Sequence, residues 1–185
     1  PAHFDVDDDY RARKGEIRGF NLWLSGQVES GIRFADLVAS RIAGGSAPYP
    51  ELALYDCHAC HHEMDDRRWT PARSAGTGPG ALRVQDQHLL ILRSAIGALD
   101  SAAASDELGA MAAELVRGGQ EDVAVAADAA GRISAWLRTR QQAWADRQFS
   151  ADEVRAVRRA IANDAARGRM GDFNAAEQAV LALES

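Results

Sequence analysis

Apolar residues recur along this chain every three or four positions, and no window alternates apolar with polar residues over a useful length. From about residue 10 to 43 they fall at Ile17, Phe20, Leu24, Val28, Ile32, Ala35 and Val38, the stripe of one long amphipathic helix. Leu89, Leu92, Ile96 and Leu99 repeat the spacing within 84–103, and a short segment over 106–116 stops at Gly118-Gly119. Val125, Ala129, Ile133, Trp136, Leu137 and Trp144 form the stripe of a helix over 122–148. Ser150 with Glu153 reads as a capping box, and Asn174 with Glu177 as the opening of the last helix. The expected fold is all-α, a helical bundle, with no hairpin signal and no internal repeat.

The long first helix carries Gly15, Gly19, Gly26 and Gly31, each costing about 1 kcal/mol against Ala. Glycines at that density predict a kink or a bulky neighbour packed against the backbone. The later helices are rich in Ala, which supplies little apolar area per residue, so they are expected to approach one another closely.

At about 150 residues per domain, 185 residues make one domain, or one large and one small. The lead-in 1–9 ends in three aspartates, suited to a helix N-terminus. Gly44-Gly45-Ser46-Ala47-Pro48 is a helix stop, and Pro50 opens a short helix over 51–55. The Gly- and Pro-rich stretch 70–80 is the clearest loop. It divides a segment 1–80 from a bundle 81–185 that packs on it, the two expected to form one compact unit.

Charge excludes one class of function. Lys+Arg 21 against Asp+Glu 27 leaves a net charge of −6, without the basic stripe that displaces phosphate counterions, so no nucleic-acid partner is expected. Lys14 is the single lysine, which reads as coding bias. Apolar runs are a few residues long, so no membrane span is expected. The chain opens at Pro1 with neither an initiator Met nor a signal sequence, as a processed product or a fragment of a longer chain would.

Two cysteines are too few for a disulfide framework. They stand three apart in Cys57-His58-Ala59-Cys60-His61, the C-x-x-C-H signature of c-type haem attachment. Two thiols one helical turn apart can add to the two vinyl groups of a porphyrin, and the adjacent imidazole of His61 then comes up under the iron as proximal ligand. One haem c per chain is the leading reading. A zinc site drawn from Cys57, Cys60, His58, His61, His62 and His88 competes with it, but the chain has no second cysteine pair. A dithiol redox centre belongs to a βαβ setting that the chain lacks.

For the other face of the iron the candidates are His3, His88, Met64, Met111 and Met170. His88 leads, because Leu92, Ala95 and Leu99 follow on its helical face. On such a face a core histidine competes with a ligand. Met111 and Met170 read as packing residues, and Met64 stands too near the attachment site to cross the ring. Bis-His ligation gives a lower reduction potential than His/Met. His62 and His3 read either as surface residues or as ligands to the iron of a neighbouring haem. Trp23, Trp69, Trp136, Trp144, Tyr49, Tyr55 and Phe20 read as packing, some of it against the porphyrin. Arg67, Arg68, Arg73 and Arg83 are either propionate partners or solvated loop residues. The chain has no phosphate loop, nucleophile elbow or conspicuous carboxylate pair.

The stretch Tyr49-Pro-Glu-Leu-Ala-Leu-Tyr-Asp-Cys-His-Ala-Cys-His-His62 resembles the C-terminal haem segment of multihaem c-type cytochromes of the cytochrome c-554-like group. An aromatic-Pro-Glu lead-in, Tyr-Asp-Cys and a doubled His after the second Cys recur there. Ser25-Gly26-Gln27-Val28 within a long striped helix and the opening Pro1-Ala2-His3-Phe4 are similar as well, so the resemblance covers about residues 1–100. It implies part of an electron-transfer cytochrome whose relatives carry further attachment sites ahead of the segment matching Pro1. His88 is not carried over from the group and rests on its helical position.

The expectation is therefore a periplasmic, exported bacterial c-type domain that passes single electrons to redox protein partners, among them another haem-bearing chain. Cys57 and Cys60 hold the haem, His61 is its proximal ligand and His88 its distal one. Three alternatives stand beside it: a haem enzyme or gas-binding domain with an open distal face, a helical interaction subunit, and a structural zinc domain.

Overall fold

A computed structural model of the chain describes residues 7–14, 19–43, 52–57, 61 and 75–184. Among them the protein is all-α. Seven α-helices follow in order: α1 Asp8–Lys14, α2 Gly19–Ala43, α3 Gln87–Leu99, α4 Ala102–Glu121, α5 Val123–Trp144, α6 Ala151–Ala166 and α7 Phe173–Glu184. A 3₁₀ turn at Leu52–Leu54 stands where a short helix was expected. Extended pairing among the described residues is confined to one antiparallel bridge, Tyr55 to Val84. No described helix is long and apolar enough to cross a membrane.

The stripe that predicts the first long helix is the one α2 buries: Phe20, Leu24, Val28, Ile32, Ala35 and Val38 all lie in the core. The expected helix over 10–43 is described as α1 and α2. Residues 15–18, Ile17 among them, lie outside the described residues, as do the helix stop at 44–48 and residues 70–74 of the loop. Asp7 caps α1, its Oδ1 accepting from Tyr10 N at 2.7 Å.

α2 packs most extensively on α5, antiparallel, with polar ties along its length. Asn21 Nδ2 donates to Arg147 O at 2.8 Å, Gln141 Nε2 to Glu29 Oε2 at 2.8 Å, and Arg138 Nη2 to Asp36 Oδ2 at 2.6 Å. Of the two explanations for the glycines, Gly31 takes the second. A Cβ there would stand 3.0 Å from Leu137 Cδ1 and 3.2 Å from Leu92 Cδ1, so the missing side chain lets α3 and α5 close on α2. α3 is the hub, packed on α2, α4, α6 and α7.

Four expected boundaries move. The helix over 84–103 is α3 alone, because the chain turns at Asp100 and Ser101 caps α4, its hydroxyl accepting from Ala104 N at 3.1 Å. The helix over 106–116 extends through Gly118-Gly119 to Glu121, since these glycines are contact points rather than a stop. A Cβ on Gly118 would lie 2.6 Å from Ala126 N of α5. The helix over 122–148 ends at Trp144, and its inward position is Ala126, not the exposed Val125. α7 opens one residue before Asn174, with Asp172 Oδ1 accepting from Ala175 N at 2.8 Å. The capping box of α6 forms as expected, Glu153 N donating to Ser150 Oγ and Ser150 N to Glu153 Oε2.

Candidate functional site

The residues leading into the cysteine motif are fixed to the helical body. Asp56 N donates to Arg83 O at 2.8 Å and Gln85 N to Leu54 O at 2.9 Å, on either side of the Tyr55–Val84 bridge. Gln85 Nε2 adds a bond to Tyr55 O at 3.2 Å, and the Tyr55 hydroxyl donates to Gly119 O at 2.8 Å, at the end of α4. Beneath this pairing the Asp56 carboxylate meets Arg83 Nη2 at 2.6 Å, and the same nitrogen lies 3.1 Å from Asp172 Oδ2, just ahead of α7. Arg83 Nε stands a further 3.9 Å from Asp86 Oδ1. Arg83 thus lies among three carboxylates with its Nη2 engaged by two of them, and its side chain is 14% exposed, which corrects its reading as a solvated loop residue.

Burial switches within one residue. Tyr55 and Asp56 are 2% and 3% exposed, whereas Cys57 and His61 are exposed. His61 N donates to Cys57 O at 2.8 Å, so one backbone hydrogen bond ties the residue of the first thiol to that of the candidate proximal imidazole. Cys60, His58, His62, His3, Met64, Trp69, Arg67, Arg68 and Arg73 lie outside the described residues. Among the described residues no group of three or more His, Cys, Asp and Glu side chains is placed to hold a metal ion.

His88 opens α3, three residues past Gln85, and is half-buried. Its Nδ1 lies 2.9 Å from Gln27 Oε1 on α2, and Gln27 Nε2 donates to Gln178 Oε1 on α7 at 2.9 Å. Burial holds the imidazole below its ordinary value of 6.5, which keeps it neutral at pH 7. No hydrogen bond joins His88 to Cys57 or His61 among the described residues; the 54–56 to 83–85 pairing links them through the backbone. Met111 on α4 is a buried packing residue as its helical position predicts, and Met170 is buried too, from the turn between α6 and α7 rather than from a helix.

Two features of the site escape a reading of the sequence. Gln27 and Gln178 stand 151 positions apart, and their sole trace is a buried amide at a core position of the α2 stripe. The second is Trp23, one turn before Gln27, whose indole Nε1 is buried with no hydrogen-bond partner among the described residues. No protein-family model, curated protein or solved structure matches the chain.

Proposed function

We propose that the chain is a c-type cytochrome domain, similar to the C-terminal part of multihaem cytochromes of the c-554-like group, that transfers single electrons through one covalently held haem. The observation that carries this reading is the His61 N–H on the Cys57 carbonyl, between two exposed residues that follow the buried Tyr55-Asp56 pair. A flat ligand must meet a thiol and an imidazole on an accessible turn, and the turn must not wander. What the described residues offer such a group is a free, exposed thiol at Cys57.

In this reading Cys57 and Cys60 would hold the haem through thioethers, and His61 and neutral His88 would each offer a nitrogen to its iron. The haem supplies a one-electron couple. Its potential is tuned by the axial pair and by burial. Attachment of haem c outside the cytoplasm gives an exported, periplasmic protein whose partners are redox proteins. His62 and His3 are candidate ligands for the haem of another chain.

The test is the absorption spectrum of the purified chain, oxidised and dithionite-reduced, with a pyridine haemochrome of the acid-precipitated protein. A c-type haemochrome in the precipitate and a low-spin spectrum are expected, the latter turning high-spin in His88→Ala. A high-spin spectrum in the unsubstituted chain moves the reading to catalysis or gas binding at an open distal face. Bound zinc without haem defeats it. A second reading, a docking subunit, draws on Val180, Leu181 and Leu183, which are exposed on α7.

A further inference from the structure

Gln27 lies on the buried face of α2 between Leu24 and Gly31, where an amide without partners is strongly disfavoured. Both ends of its amide are used. Nε2 donates to Gln178 Oε1 on α7, and Oε1 stands 2.9 Å from His88 Nδ1 on α3. A carbonyl oxygen accepts and never donates, so with this amide orientation the proton of the neutral imidazole sits on Nδ1. The lone pair then belongs to Nε2. We propose that Gln27, braced by Gln178, is a positioning residue that fixes His88 as the Nδ1–H tautomer and leaves Nε2 as the nitrogen that binds a metal.

Metal-binding histidines commonly donate their other ring N–H to a carbonyl or carboxylate, which sets both tautomer and ring orientation. Here the acceptor comes from α2, its brace from α7 and the ring from α3, so three packed helices set the angle of one imidazole. The start of α3 is itself held by the Gln85 to Leu54 bond. The identity of the metal rests on the haem reading above; the tautomer does not.

The experiment is a two-bond proton–nitrogen correlation spectrum of the whole chain, labelled with ¹⁵N-histidine and reduced with dithionite. His88 is expected to carry its proton on Nδ1. In chain purified without haem, Gln27→Glu keeps an acceptor and is expected to keep that signature, whereas Gln27→Leu loses it; iron on Nε2 would hold the proton on Nδ1 whatever stands at position 27. With His88 on the iron, cyanide then displaces it from the oxidised Gln27→Leu chain at about 10–100-fold lower concentration. Gln178→Leu removes the brace and shifts both readouts in the same direction by less. Circular dichroism identifies a variant that fails to fold, and the unsubstituted chain decides the tautomer regardless. A proton on His88 Nε2 in that chain overturns the proposal, as does an Nδ1–H signature that survives Gln27→Leu in a folded variant without haem. Nδ1–H on a chain purified without covalent haem supports the positioning role and defeats the haem reading. Covalent low-spin haem beside an Nε2–H His88 does the reverse.

Discussion

Where α2 crosses α5, Leu24, Val28, Ile32, Ile133 and Leu137 are sealed from water, and Gly31 lets Leu137 approach to 3.0 Å from where a Cβ would stand. The segment that delivers Cys57 adds only Leu54 and Tyr55 to the core and is tied down by directional bonds. Leu54 to Asp56 are held by backbone bonds to Arg83 and Gln85, one tyrosine hydroxyl and one guanidinium. Dispersion and burial are spread over many atoms and survive the loss of one methyl group. Directional polar ties are few, and each has a particular partner. The body should therefore lose stability without losing the site, and the attachment segment should lose both together.

Arg83→Met is the sharpest way to break that contrast. It takes a cation away from the carboxylates of Asp56 and Asp172, 3% and 12% exposed. Breaking a buried pair costs about 3–5 kcal/mol. A lowered denaturation midpoint is expected, accompanied by a lowered yield of covalent haem because the turn at Cys57 is no longer held. An Arg83→Met chain with normal haem content would show that the polar clamp and the attachment turn are independent.

Leu137→Ala tests the other side. The side chain is fully buried against Gly31, and its truncation costs about 2–5 kcal/mol according to how far α2 and α5 can settle together. Chemical denaturation reads that loss. The spin state and haemochrome of the folded fraction are expected to be unchanged, because Cys57 is held by the 54–56 to 83–85 pairing and the Gln27 bond to His88 is braced from α7 rather than from α5. A shifted spectrum would join the α2–α5 seam to the site.

The same division explains what the sequence discloses. The α2 stripe is legible because Leu24, Val28 and Ile32 are large and their neighbours polar, so the period has one phase. In α5 alanine stands on more than one face, and the inward place falls to Ala126 rather than the bulkier, exposed Val125. Gly118-Gly119 reads as a stop because glycine is costly inside a helix. A close approach by Ala126 of the next helix outweighs that cost. At the candidate site, Cys57 and His61 are legible because the spacing is set by covalent chemistry and spans a few residues. Arg83 and Gln178 are illegible for the opposite reason. Their partners Asp56 and Gln27 lie 27 and 151 positions away, and no local pattern marks either one.

The smallest expected effect lies far from the motif, at the start of α6. Hydrogen bonds from the Ser150 backbone and hydroxyl, then from Arg147, hold the Glu153 carboxyl below its ordinary value of 4.5. A carboxyl whose folded-state pKa is depressed binds protons less readily than in the unfolded chain. Its contribution to stability is therefore complete above the unfolded value and is lost as pH falls through the folded one. Ser150→Ala removes the hydroxyl that caps α6 at Glu153 N, and a lost cap of this kind costs about 1 kcal/mol at neutral pH. Glu153 still accepts from the Ser150 backbone position, so part of the acid dependence persists in the variant. Its stability below pH 4.5 should fall less steeply than that of the unsubstituted chain, and the two curves should converge toward low pH. Parallel curves across that range would mean that the hydroxyl caps α6 without tuning the carboxyl, leaving backbone and Arg147 to hold Glu153 down.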